Sequence, residues 1–223
     1  MILFLLGFLT LSKDFFSTSL GDVICQEDIF ESCPRPKLFS MVPVDKAEYD
    51  ALCPFLKDYI MCLERFQKDC TTKFFATPEE YTSILTAFSE FCEEGSLLNI
   101  IVTENLKCLN ESLGNSFCTV QANTMATTFE DLLSVVTETD AEIPHVGSVC
   151  LRESFLVACT ADEIAAKCSS LVKDAALEMI QRSYLIQEAC SLEDIINILE
   201  NGSLVELTPS YQEILNNALE QMS

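Results

Sequence analysis

The stretch Asp45-Lys-Ala-Glu48-Tyr49-Asp-Ala-Leu52-Cys53-Pro54-Phe-Leu56-Lys-Asp-Tyr-Ile60-Met-Cys62-Leu63-Glu-Arg-Phe-Gln-Lys-Asp-Cys70 decides the fold. Its apolar residues Tyr49, Leu52, Leu56, Ile60 and Leu63 recur at three and four positions, the period of a helix with one buried face. Asp45 followed by Glu48 reads as a capping box that starts it. Pro54 supplies no backbone N–H and is expected to kink or restart the helix. Helical geometry then restricts the sulfur chemistry. Cys53 and Cys62 would stand ~13 Å apart along the axis and Cys62 and Cys70 ~12 Å, beyond the ~7 Å that a disulfide spans between Cα atoms. Nine residues turn a helix through ~900°, so Cys53 and Cys62 point to roughly opposite sides. Bridges must therefore run from this helix to others.

Working outward, the cysteines fall into two sets, Cys25, Cys33, Cys53, Cys62, Cys70, Cys92 and Cys108, Cys118, Cys150, Cys159, Cys168, Cys190. The first reads C-x7-C-x19-C-x8-C-x7-C-x21-C and the second C-x9-C-x31-C-x8-C-x8-C-x21-C, so the last four members agree to within one residue. At an offset of 98, Glu90-Phe91-Cys92 with Leu97-Leu98-Asn99-Ile100-Ile101 lies over Glu188-Ala189-Cys190 with Ile195-Ile196-Asn197-Ile198-Leu199. This predicts an internal duplication: residues 22–106 and 107–204 as two six-cysteine modules, and 205–223 as a C-terminal helix. The longest unmatched insertion lies between Cys118 and Cys150. With six cysteines and two excluded pairs, about nine connectivities remain open in each module.

The remaining punctuation is also helical. Thr77-Pro78-Glu79-Glu80 is an N-cap, a proline at N1 and a capping glutamate, ahead of Tyr81, Ile84, Leu85, Phe88 and Phe91 and a stop at Gly95. Ser191 to Asn201 repeats the device, with Leu192, Ile195, Ile196 and Leu199 on one face and Gly202 as the stop. Thr208-Pro209 opens a last helix. Leu204-Val-Glu-Leu207 is the one short strand candidate. The expected fold is all-α: two tandem disulfide-stapled helical bundles.

Composition fixes the setting. Among 223 residues there are 35 Asp+Glu, 13 Lys+Arg, 12 Cys and one His, for a formal charge of −22. Nucleic acid and anionic membrane surfaces are repelled by such a chain, because binding them needs clustered Lys and Arg. No segment approaches the ~18 apolar residues of an integral membrane span. Residues 1–21 read as a secretory signal peptide, with an apolar run from Ile2 to Leu11 and small Ser19 and Gly21 before a cut at Asp22. An even cysteine number without any Cys-x-x-Cys pair fits disulfides, and with them a secreted, extracellular protein. Asn110-Glu-Ser and Asn201-Gly-Ser are glycosylation sequons suited to that route.

The first cysteine pair, the helix carrying Cys53 and Cys62, then Cys70 and a long gap to Cys92, resembles a group of secreted cysteine-rich helical proteins of arthropods and nematodes. The arthropod hemolymph-glycoprotein type and the related nematode extracellular domain of unknown function are the members it is most similar to. The resemblance covers both modules, from Cys25 to about Leu204, and rests on cysteine spacing and helical pattern. It implies a fold type and a compartment, and it carries over no catalytic residue and no cofactor.

The residues lead to the same expectation. His145, after Pro144 in an expected loop, would be the base of any Ser-His or Cys-His mechanism, yet there is no Gly-x-Ser-x-Gly elbow and every cysteine has a disulfide role open to it. Phosphate loops, His-Glu-x-x-His and EF-hand loops are absent from the sequence. The acid pairs Glu79/Glu80 and Glu93/Glu94 point about 100° apart on a helix, and a solvated face is the better reading. The expected function is non-enzymatic and extracellular, with no metal and no cofactor: protein interaction on an acidic stapled scaffold. The alternative is a carrier of a small apolar ligand, a lipid or sterol, suggested by 15 Phe and the helix faces rich in Leu and Ile.

Overall fold

The computed structural model describes residues 29–34, 42–70, 74–114, 117–136, 145–200 and 208–222. Residues 1–21, Cys25, Asn201, Gly202 and the strand candidate 204–207 lie outside them. Among the described residues the chain is helical and no strand occurs. It forms two compact units, one within Met1–Leu113 together with Asp174–Ser183, the other within Gly114–Lys173 and Tyr184–Ser223.

The first unit contains α1 (Ile29–Ser32), α2 (Lys46–Cys70), α3 (Pro78–Cys92), α4 (Leu97–Glu104) and α5 (Leu106–Leu113), in which successive helices pack on one another. The capping box of α2 forms, with Glu48 N donating to Asp45 Oδ1 at 2.9 Å. Pro54 does not restart α2, which runs unbroken from Lys46 to Cys70. The proline and Asp50, whose carbonyl it leaves without a donor, both lie on the exposed side, where a freed carbonyl costs least. The inner face, Tyr49, Leu52, Leu56, Ile60 and Leu63, is buried as the periodicity requires. Each such side chain contributes about 1.5–3 kcal/mol of burial. Thr77 caps α3 by accepting from Glu80 N, and Glu80 returns the bond by accepting from Ala76 N at 2.7 Å. The chain leaves α3 through Gly95, whose φ of +88° suits only a residue without Cβ.

The second unit is built differently. Here α6 (Phe117–Val136), α9 (Leu185–Ala189), α10 (Leu192–Glu200) and α11 (Pro209–Met222) all pack against α7 (His145–Lys167). Between Cys118 and Cys150 the chain is largely α6, which lays Cys118, Ala122, Ala126 and Phe129 inward. Between α7 and α9 runs α8 (Ser170–Arg182), whose residues from 174 onward belong to the first unit. There Arg182 Nη1 meets Glu90 Oε2 of α3 at 2.6 Å, and Ser83 Oγ donates to the Arg182 carbonyl at 2.9 Å. Tyr184, with φ 57° in the left-handed region, separates α8 from α9.

Four bridges have defined geometry. Cys33–Cys62 and Cys53–Cys92 lie in the first unit, with Cα separations of 5.8 and 5.4 Å. Cys118–Cys159 and Cys150–Cys190 lie in the second, at 5.6 and 4.6 Å. Cys70, Cys108 and Cys168 are disulfide-bonded as well, and no described cysteine is free. In both sets, therefore, the second cysteine pairs with the fourth and the third with the sixth. Neither Cys53–Cys62 nor Cys62–Cys70 occurs, as the rise of the helix demands.

The match between the two halves shifts register along the chain. At an offset of 98, buried Leu52, Leu56, Tyr59, Ile60, Leu63 and Phe66 correspond to buried Cys150, Ser154, Val157, Ala158, Ala161 and Ile164. The cysteines of these helices, 53/62 and 150/159, correspond at 97 instead, one residue or about 100° around the helix. Past the sixth cysteine the offset of 98 fails as a packing equivalence: Leu97 and Ile100 are exposed where Ile195 and Ile198 are buried. The helices correspond by their caps. Ser96 accepts from Asn99 N and Ser191 from Asp194 N, each at 3.1 Å, and three extra residues, Glu93-Glu94-Gly95, precede the first cap.

Candidate interaction surface

Several residues singled out in the sequence have structural duties. His145 is the first residue of α7 rather than part of a loop, its backbone helical directly after Pro144. Glu79 is exposed while its neighbour Glu80 is buried in the α3 cap, so the two carboxylates face different environments. Phe88 and Phe91 are core, and Tyr81 packs on Phe75 with ring centroids 5.4 Å apart. Asn110 sits within α5, where its Nδ2 donates to the Val42 carbonyl at 2.9 Å, and Ser112 of the same sequon is buried. Among the described residues no group of three His, Cys, Asp or Glu is arranged to hold a metal ion.

Each unit has a polar anchor in its core. Tyr49 is fully buried and its hydroxyl donates to the Phe91 carbonyl, which also accepts from Asn99 Nδ2 at 3.2 Å. Tyr211 is its counterpart: Ser154 Oγ donates to its hydroxyl at 2.9 Å, and the tyrosine donates to the Leu151 carbonyl at 3.3 Å. Burial away from water pushes both phenols well above the ordinary tyrosine range. These hydroxyls bond carbonyls that adjoin Cys92 and Cys150, so they fix the backbone beside two bridges and are closed to substrate.

The chemistry left to the surface lies on α4 and α10, the helices that follow the sixth cysteine of each set. Leu97 is 71 % exposed, and Ile100 and Glu104 continue its face at i+3 and i+7. Glu93 and Glu94 are exposed in the turn just before it. On α10, Leu192 and Ile196 are exposed at i and i+4 with Glu193 beside them, while Ile195 and Ile198 form the buried face. Leu192, Ile195, Ile196 and Leu199, expected on a single face, divide between two: Leu192 and Ile196 outward, Ile195 inward. The helix is apolar on two sides, and periodicity could not say which of them meets the core. Each outward pair is held from behind, since Cys92 and Cys190 anchor the segments that lead into these helices.

The fold and surface define a class: an all-helical, disulfide-stapled protein with acid-rimmed apolar ridges. Among the described residues no helix is long and apolar enough to cross a membrane. No protein-family model matches the chain, and neither a curated protein nor a solved structure matches it.

Proposed function

We propose that this is a secreted, non-enzymatic extracellular protein that binds a protein partner. The partner segment is basic and tipped with apolar side chains. The observation that carries the reading is the Leu97–Ile100 ridge between Glu93/Glu94 and Glu104: burying the two aliphatic side chains supplies affinity, and the carboxylates select and steer cations. Export through the 1–21 signal, a glycan on Asn201 and kinship with the secreted cysteine-rich helical proteins belong to the same proposal. So does duplication, for which the shared second-to-fourth and third-to-sixth pairing is the support. If both halves keep that order, the remaining bridges join first to fifth, Cys25 to Cys70 and Cys108 to Cys168. Of the aromatic residues on the α3 face, Phe88 and Phe91 are buried in the core of the first unit.

The probe is a synthetic helical peptide with Lys on one face and Leu on the other, titrated into the oxidised full chain. Leu97→Asp is expected to weaken its binding about tenfold or more, leaving the melting temperature unchanged because the side chain is exposed. Binding is also expected to weaken as salt is raised. Absence of binding, or binding indifferent to Leu97→Asp, overturns the reading.

A further inference from the structure

From Ser112 to Phe129 the chain runs 18 residues without an Asp, Glu, Lys, Arg or His, in a protein of charge −22. Most of this run is α6. Cys118, Ala122 and Ala126 face inward, and the Cys118–Cys159 bridge ties the helix to α7. Its outward side presents Phe117, Val120, Thr124, Thr127 and Thr128, with Val120 60 % exposed. Three of the threonine hydroxyls already donate their protons within the helix. Thr124 Oγ1 donates to Val120 O at 2.9 Å, Thr127 to Asn123 O at 3.0 Å and Thr128 to Thr124 O at 2.8 Å. Covering this face therefore strands no hydroxyl proton, which removes the usual penalty for burying polar side chains.

We infer that the α6 face is a self-association surface whose occupant is α6 of a second copy of this chain. Between residues 117 and 128 a cationic partner finds no carboxylate on it, the next in line being the exposed Asp131 one turn further on. Two copies otherwise repel one another through their acidic surfaces, and α6 is where apolar and internally satisfied groups meet without opposed charges. A two-fold axis sets the face against itself, and a stripe of Val, Phe and Thr is complementary to its own image. The stripe from residue 117 to 128 is only ~17 Å long, so the contact is smaller than a permanent dimer interface and the association is weak and reversible. This inference stands apart from the proposed partner on α4.

Its salt dependence has the opposite sign. Sedimentation equilibrium of the oxidised full chain is expected to show an association constant rising about tenfold between about 20 mM and about 500 mM NaCl, as screening removes the mutual repulsion. Val120→Glu, and separately Thr124→Glu, are expected to lower the high-salt constant about tenfold or more without shifting the melt, whereas Leu97→Asp leaves it unchanged. A monomer at both salts overturns the inference. So does a dimer that weakens with salt or survives both α6 substitutions, and so does cross-linking that places a different protein against Thr124.

Discussion

Each of the two units buries a tyrosine whose hydroxyl donates to a backbone carbonyl, Tyr49 in the first and Tyr211 in the second, but they organise their helices differently. In the first, α1 to α5 pack in series, each chiefly on the next, and Tyr49 ties α2 to the end of α3 and, through Asn99, to α4. In the second, α7 is a hub against which four helices lie, and Tyr211 reaches from α11 into its middle. A buried phenol bonded to a backbone carbonyl beside a half-cystine is thus compatible with either arrangement. What differs is how far the loss of one contact spreads.

That difference gives the largest predicted effect. Tyr49→Ala and Tyr211→Ala each remove a fully buried ring, at a cost of about 3–5 kcal/mol. Amide hydrogen exchange is expected to quicken in α2, α3 and α4 for the first, and through α7, α9, α10 and α11 together for the second; equally local effects would refute the hub. The wild-type tyrosines also set an alkaline limit. Because their folded-state values are raised, the stability they confer is complete below about pH 10 and is lost as pH climbs beyond it, so phenolate absorbance from these two should appear only with unfolding.

A smaller effect is expected where residue 182 joins α3 in the first unit. Arg182 holds Glu90 below the usual carboxylate range by a direct hydrogen bond, so this contribution is present near neutrality and lost as pH falls through the lowered value. Arg182→Ala should cost less than about 1 kcal/mol near pH 7, since both groups are partly exposed, and a smaller amount near pH 2, as Glu90 takes up its proton. Denaturant titration at the two pH values measures it; an equal cost at both would mean that packing, not charge, holds the segment.

Local signals carried much of the fold. Asp45/Glu48, Thr77/Glu80, Ser191/Asp194 and Thr208 each satisfy backbone donors within a few residues of themselves, so these helix starts are legible in sequence. Pro54 does not restart its helix, because whether a freed carbonyl meets water or core is a tertiary matter. The outward ridges were hidden for a related reason. Where a helix is apolar on two sides, as at Leu192/Ile196 and Ile195/Ile198, only the neighbouring helices choose the buried one. Cysteine spacing excluded pairs too far apart along a helix, but which distant helices meet depends on the packing of the whole unit. The one-residue slip between cysteine register and buried face, Cys53 half-buried and Cys150 wholly buried, was invisible for the same reason.

The central claim is that the two sets of six cysteines are oxidised in the same order. Proteolysis of the unreduced protein at acidic pH, followed by mass spectrometry of the linked peptides, tests it directly. The account predicts Cys33–Cys62, Cys53–Cys92, Cys118–Cys159 and Cys150–Cys190, completed by Cys25–Cys70 and Cys108–Cys168. Free thiols in quantity, or any bridge joining a cysteine of 25–92 to one of 108–190, would contradict it.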